Sequence, residues 1–110
     1  MELTEEQKNL VQQFQFYQQQ LQGILFQKES IKLQKVEIDK ALEELSSSKQ
    51  AKVYKIVGNI MVNKPAEDVK KELNDDKETL DVRIKSLEKA EEKVMNKLNE
   101  LQEKLKGIIG

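Results

Sequence analysis

Val53-Tyr54-Lys55-Ile56-Val57-Gly58-Asn59-Ile60-Met61-Val62 is the one short, β-type apolar segment of this chain. β-Branched and aromatic residues on both sides of a Gly-Asn pair read as a two-stranded hairpin turning at Gly58-Asn59. The apolar residues do not alternate cleanly with polar ones. Ile56 and Val57 are neighbours, as are Ile60, Met61 and Val62, so both faces of the hairpin are sticky. An isolated two-stranded hairpin is marginal in water, and its open edges invite pairing with another chain. The economical solution is that hairpins from several subunits join in a shared sheet or barrel. The alternative is a hairpin folded back on its own helices, although a two-helix rod has little surface wide enough to cover a sheet.

Working outward from the hairpin, apolar residues recur on both sides at steps of three and four. The first run is Leu3, Leu10, Phe14, Tyr17, Leu21, Ile24, Ile31, Ile38, Leu42 and Leu45; the second is Leu73, Leu80, Ile84, Leu87, Val94, Leu98, Leu101, Leu105 and Ile108. This is the spacing of a coiled-coil seam. The fold class expected is mostly α: a long antiparallel two-helix coiled coil, joined by a single β-hairpin that assembles into an intersubunit β-barrel. The chain reads as one domain over residues 1–110, with helix 1 over 4–46, the hairpin over 52–63 and helix 2 over 65–107.

Local signals set those boundaries. Thr4-Glu5-Glu6-Gln7 has the spacing of a capping box, so helix 1 starts just after Thr4. Ser46-Ser47-Ser48 compete for backbone hydrogen bonds and stop it. Gly23 interrupts it, marking a soft point or a close approach by a neighbour. Pro65 suits a first helical position, and Glu67 and Asp68 follow where negative charge favours the helix dipole. Each helix spans roughly 60 Å, so the two can fold back and end together. Placing Leu45 opposite Leu73 sets Ile38 against Leu80, Ile31 against Leu87, Ile24 against Val94, Leu21 against Leu98 and Tyr17 against Leu101. The seam is interrupted by Gln7, Lys28 and Lys35 on one side and by Lys77 and Glu91 on the other. Lys28 and Glu91 then share a layer, where an opposed pair costs less than a lone charge and helps fix register. Outward snorkelling of both is the other possibility. Leu25, Phe26, Leu33 and Val36 lie off the seam. They either cover it, which is the safer reading, or face a neighbouring helix or an inner cavity.

Composition narrows the function. Charged residues make up 35% of the 110 residues and aromatics 5%, which suits long solvated helices better than a thick core. Net charge is −1, so no basic balance attracts nucleic acid or an anionic membrane. No stretch approaches transmembrane length and the N-terminus is not signal-like, which makes a soluble, cytoplasmic protein the expectation. The chain has no Cys, His or Trp. A thiol nucleophile, a structural zinc site and the commonest general base are therefore missing. A narrow coiled coil offers no water-excluding cleft to retune its carboxylates and lysines. The four glycines are scattered and form no phosphate loop. The expectation is a non-enzyme with no catalytic residue, metal or cofactor.

Several segments together resemble the prefoldin family, in particular its β-type subunit. They are Phe14-Gln15-Phe16-Tyr17-Gln18-Gln19-Gln20-Leu21, Lys40-Ala41-Leu42-Glu43-Glu44-Leu45, the hairpin itself, and Leu80-Asp81-Val82-Arg83 with Leu87-Glu88. The heptads alone are weakly specific. The Val-Tyr-Lys-x-Val-Gly-Asn-Ile hairpin between two equal helices is fairly specific, and one hairpin resembles the β type where the α type carries two. The resemblance implies an ATP-independent chaperone subunit in a hexamer of two α and four β chains. The hairpins would build a double β-barrel, the helix tips would clasp non-native proteins, and these would pass to a group II chaperonin.

The assembly residues would be Val53, Tyr54, Ile56, Val57, Gly58, Ile60, Met61 and Val62. The family's working surface would map to the free helix ends. Read from the residues, an antiparallel pairing sets Leu10, Val11, Phe14, Phe16 and Tyr17 beside Leu101, Leu105, Ile108 and Ile109, more apolar groups than a two-stranded seam can bury. Val11, Phe16 and Ile109 lie off the seam and are expected to be exposed. A cluster of that kind marks an interaction surface. The alternative function is a structural or adaptor coiled coil that binds a defined native partner. An RNA-contacting arm would require a basic stripe that the balanced charge does not supply.

Overall fold

The computed structural model describes residues 2–109, with the side chains of Ile108 and Ile109 left aside. The element order is α1 (Glu5–Ser47), β1 (Lys52–Val57), β2 (Ile60–Pro65) and α2 (Ala66–Ile109). The helices contain 43 and 44 residues, so their matched length, to within one residue, is a property of the structure as well as of the pattern.

The start of α1 is a closed capping box. The Gln7 amide donates to the Thr4 hydroxyl at 3.1 Å, and the Gln7 side-chain carbonyl accepts from the Thr4 amide at 2.9 Å. Its end is a serine stop. The Ser47 hydroxyl donates back to the carbonyls of Glu43 and Glu44 at 3.0 and 3.2 Å, turning the backbone's last acceptors inward.

The bounds of α1 shift by one residue at each end, and those of β2 and α2 also differ from expectation. Pro65 closes β2, and α2 begins one residue later at Ala66. The reason is a hydrogen bond of 2.8 Å from the Ala66 amide to the Ala51 carbonyl. It extends the strand ladder past the Lys52–Pro65 pair and gives the first helical amide a partner. At the other end α2 runs through Gly107 to Ile109, since a single glycine weakens a helix without ending it.

The hairpin pairs Lys52 with Pro65, Val53 with Lys64, Tyr54 with Asn63, Lys55 with Val62, Ile56 with Met61 and Val57 with Ile60. Gly58 takes φ +60°, and no non-glycine among the described residues has positive φ. That is a type II′ turn, whose first central position calls for glycine.

The chain forms two compact units. One comprises the residues up to Glu29 together with those from Lys85 onward; the other is Ser30–Ile84. In each, an α1 segment lies antiparallel to an α2 segment. In the first unit Val94, Leu98 and Leu101 are buried, and Leu10, Phe14, Tyr17, Leu21, Ile24, Leu87 and Leu105 are half-buried. In the second, Ile31, Leu80 and Ile84 are buried, with Ile38, Leu42, Leu45 and Leu73 half-buried. Leu3, which precedes the helix cap, is the described seam residue left exposed. Ala66 and Val69 are also buried. They continue the four-three stepping upstream of Leu73 and were not part of the expected seam.

The charges that interrupt the seam are neutralised across it. In the first unit Lys28 reaches Glu91 at 2.7 Å, as their shared layer requires. In the second, Lys77 reaches Asp39 at 2.7 Å and Lys35 pairs with Asp81. The hydrogen bond that Lys28 donates to Glu91, followed by the carboxylate's charge, raises the Lys28 pKa, and Asp39 raises that of Lys77 by the same two effects.

Candidate functional site

Two regions carry the expected site residues, one in each unit. In the Ser30–Ile84 unit, the strand register divides the hairpin into two faces. Lys52, Tyr54 and Ile56 share one face with Met61, Asn63 and Pro65; Val53, Lys55 and Val57 share the other with Ile60, Val62 and Lys64.

The second face is fastened to α2. Glu72 accepts a hydrogen bond from Lys55 at 2.8 Å on one oxygen and from Lys64 at 2.7 Å on the other. Lys55 and Lys64 lie two positions off the direct pairing, so both ammonium groups converge above one carboxylate. These two hydrogen bonds hold the Glu72 carboxyl down at about 2, against an ordinary value of 4.5. The same contact raises the Lys55 pKa. Val53, on this face, is half-buried.

The first face has no such cover. Tyr54, Ile56 and Met61 are 68%, 72% and 64% exposed. Near the turn, Val57 and Ile60 are exposed as well, and Val62 is exposed marginally. The chain's own helices therefore leave most of the expected assembly residues open, and among the described residues the hairpin's sheet has two strands. One face of the hairpin is thus pinned to α2, while the other is left open.

In the other unit, the expected tip residues separate into packed and open ones. Leu101 is 1% exposed and belongs to the interior. Leu10, Phe14, Tyr17 and Leu105 are half-buried along the seam. Val11 is half-buried, where exposure was expected, because it sits next to the seam at a flanking heptad position. Phe16 is exposed, and its ring meets Tyr17 edge-on at 5.5 Å between centroids. Ile108 and Ile109 lie outside the described side chains.

Two open grooves flank the seam of this unit. One, of about 350 Å³, is lined by Tyr17, Gln20, Ala90, Lys93, Val94 and Lys97. The other, of about 380 Å³, is lined by Phe14, Leu21, Met95 and Leu98 together with Gln18, Gln22, Asn99 and Gln102. Apolar groups that sequence reasoning did not assign to a site are exposed in the two units. Leu25, Phe26 and Met95 are exposed in this unit, and Leu33, Val36 and Val82 in the other. Leu25, Phe26, Leu33 and Val36 thus do not cover the seam. Phe26 and Leu33 occupy the heptad position farthest from it, a signal present in the spacing. Among the described residues no group of acidic side chains could hold a metal ion, and no helix is long and apolar enough to cross a membrane.

The comparisons with known proteins fit this arrangement. The family described as prefoldin subunit matches residues 8–110. The prefoldin subunit beta of Archaeoglobus fulgidus is 42% identical over 109 residues, covering 98% of this chain and 94% of the relative. That of Thermococcus onnurineus is 40% identical over 94 residues, covering 84% of this chain and 81% of its own. The crystal structure of the prefoldin beta subunit from Thermococcus strain KS-1 superposes with a TM-score of 0.86 at 34% identity. It covers 97% of this chain and 95% of its own. With helices of equal length, one hairpin between them and matches over nearly the whole chain, this protein belongs to the prefoldin subunit family, as a member of its β type.

Proposed function

We propose that this chain is a subunit of an ATP-independent, non-enzymatic chaperone that captures non-native proteins at the free ends of its helices and passes them to a group II chaperonin. The hairpin is the assembly module. Its open face of Tyr54, Ile56 and Met61 packs against hairpins of other subunits, in a hexamer of two α-type and four β-type chains in the cytoplasm. The observation that carries the reading is this separation: one apolar sheet face left open in one unit, and exposed apolar groups beside a packed seam in the other. Exposed apolar groups of this kind on a highly charged chain mark interaction surfaces.

The test is suppression of light scattering by a refolding client, using this chain mixed with an α-type partner. Full-length chain is compared with a form lacking the residues before Leu21 and after Leu98, and with a full-length Phe16→Ser variant; sizing runs alongside. The expected result is an assembly of unchanged size that no longer suppresses scattering when truncated, and that suppresses it less well with Phe16→Ser. If truncation leaves suppression intact, clients bind elsewhere. If only a defined native protein binds, the adaptor reading replaces this one.

A further inference from the structure

The groove between Phe14 and Gln102 differs from the rest of this chain in its chemistry. Its floor is Phe14, Leu21, Met95 and Leu98, and its rim is four carboxamides: Gln18 and Gln22 from α1, Asn99 and Gln102 from α2. None of its lining residues is charged, in a protein whose residues are 35% charged. The groove on the other side of the seam carries Lys93 and Lys97 instead.

The neutrality extends along α1. Residues 9–27 contain no Asp, Glu, Lys or Arg over nineteen positions, and eight of the nineteen are glutamine. None of the four rim carboxamides takes part in a hydrogen bond among the described residues. Met95 is 42% exposed, and Leu25, at a flanking heptad position like Gln18, is 41% exposed.

A carboxamide offers a carbonyl acceptor and two N–H donors at once. That is the complement of a peptide group, which offers one donor and one acceptor. Charged side chains would select clients by charge and lose grip with salt. Carboxamides around an apolar floor select for a feature common to every unfolded chain and scarce on folded ones, namely unpaired main-chain amides beside an apolar side chain.

We infer that the groove lined by Phe14, Leu21, Met95 and Leu98 binds an extended polypeptide segment, with the Gln18, Gln22, Asn99 and Gln102 carboxamides pairing with its main-chain amides while its apolar side chains rest on the floor. The inference rests on the client-capture reading above and names the part of the client that is recognised. It makes capture independent of client charge.

The experiment uses the full-length chain and a short fluorescent peptide of alternating leucine and serine, with a counterpart in which alternate amides are replaced by esters. The esters keep the side chains and remove main-chain donors. Anisotropy titrations compare the wild-type chain with Gln18→Met/Gln22→Met/Gln102→Met, which keeps side-chain length and helix propensity and removes the amides. A second variant, Gln18→Glu/Gln22→Glu, keeps shape and removes donors; circular dichroism verifies folding of both.

The expected result is that wild type binds the amide peptide about tenfold more tightly than the ester, the scale of two lost hydrogen bonds. The triple methionine variant loses about tenfold on the amide peptide and no longer distinguishes the two. Salt leaves the wild-type affinity unchanged. Equal binding of both peptides by wild type, or undiminished binding of the amide peptide by the methionine variant, overturns the amide role. So does failure of wild type to hold the amide peptide. Client capture itself is judged separately by the scattering assay. Its persistence alongside equal peptide binding retires the carboxamides and leaves the tip reading standing, whereas loss of both retires both.

Discussion

Glu72 is the residue on which the hairpin's inner face depends. It receives both Lys55 and Lys64. Its folded pKa of about 2 lies below the unfolded value near 4.5, so the native state binds fewer protons between those pH values. The stabilisation is present above about pH 4.5 and is lost as pH falls toward 2. Thermal unfolding followed by circular dichroism from pH 6 to 2 should therefore fall more steeply for wild type than for Glu72→Gln. Parallel slopes would show that the clamp contributes nothing. Lys28, Lys55 and Lys77 act at the alkaline end. Their raised pKa values place their contribution below about 10.5, to be lost as pH climbs through the folded values. Two glycines make opposite predictions. Gly58 sits at φ +60°, where a side chain is strained, so Gly58→Ala should destabilise by about 1 kcal/mol. Gly23 lies in mid-helix with open space around it, so Gly23→Ala should stabilise by about 0.5–1 kcal/mol in urea unfolding.

At the level of the elements, the helices were legible because their periodicity is physical. The three-four stepping chooses which residues touch, and nearly all of the described seam is buried or half-buried. Register placed Lys28 and Glu91 in one layer and left pairing and outward snorkelling both open; the structure has them paired. What could not be read was the fate of the off-seam apolar residues. Spacing tells that Phe26 points away from a partner helix, but not whether some other surface awaits it. The Glu72 clamp was equally hidden, because Lys55 and Lys64 converge only once the hairpin register is known. The packed and open sides of α1 should respond very differently. Ile31→Ala, at a site 2% exposed, should cost about 2–4 kcal/mol. Phe26→Ala, at a site 77% exposed, should change the stability of the chain by less than about 0.5 kcal/mol. A large cost for Phe26→Ala, measured by urea unfolding at several protein concentrations, would mean that its ring is covered by another subunit.

For the molecule as a whole, the unusual quantity is how much apolar surface remains after folding. A 110-residue chain with a two-stranded seam has no interior to hide its sheet, and the hairpin's outer face of Tyr54, Ile56 and Met61 stays open. On the proposed reading, association completes the burial that folding leaves undone, and stability depends on protein concentration. Ile56→Lys with Met61→Lys sets two like charges directly opposite each other on that face. Size-exclusion chromatography with multi-angle light scattering should then report monomer where wild type assembles, while the helical signal persists. Retention of full size would place the assembly surface elsewhere.

The two junctions of the hairpin are unequal. Residues 48–51 separate α1 from β1, whereas β2 passes into α2 between Pro65 and Ala66 with no residue between. Slack exists on one side only, and α2 is the stem that sets the bearing of the sheet. One extra residue between Gln50 and Ala51 is taken up by a loop. One extra residue between Ala66 and Glu67 swings the sheet about 100° around the helix axis, the turn of a single helical step. The first insertion should leave the chromatographic size of the assembly unchanged and the second should abolish it, because the face of Tyr54 and Ile56 would then look in the wrong direction.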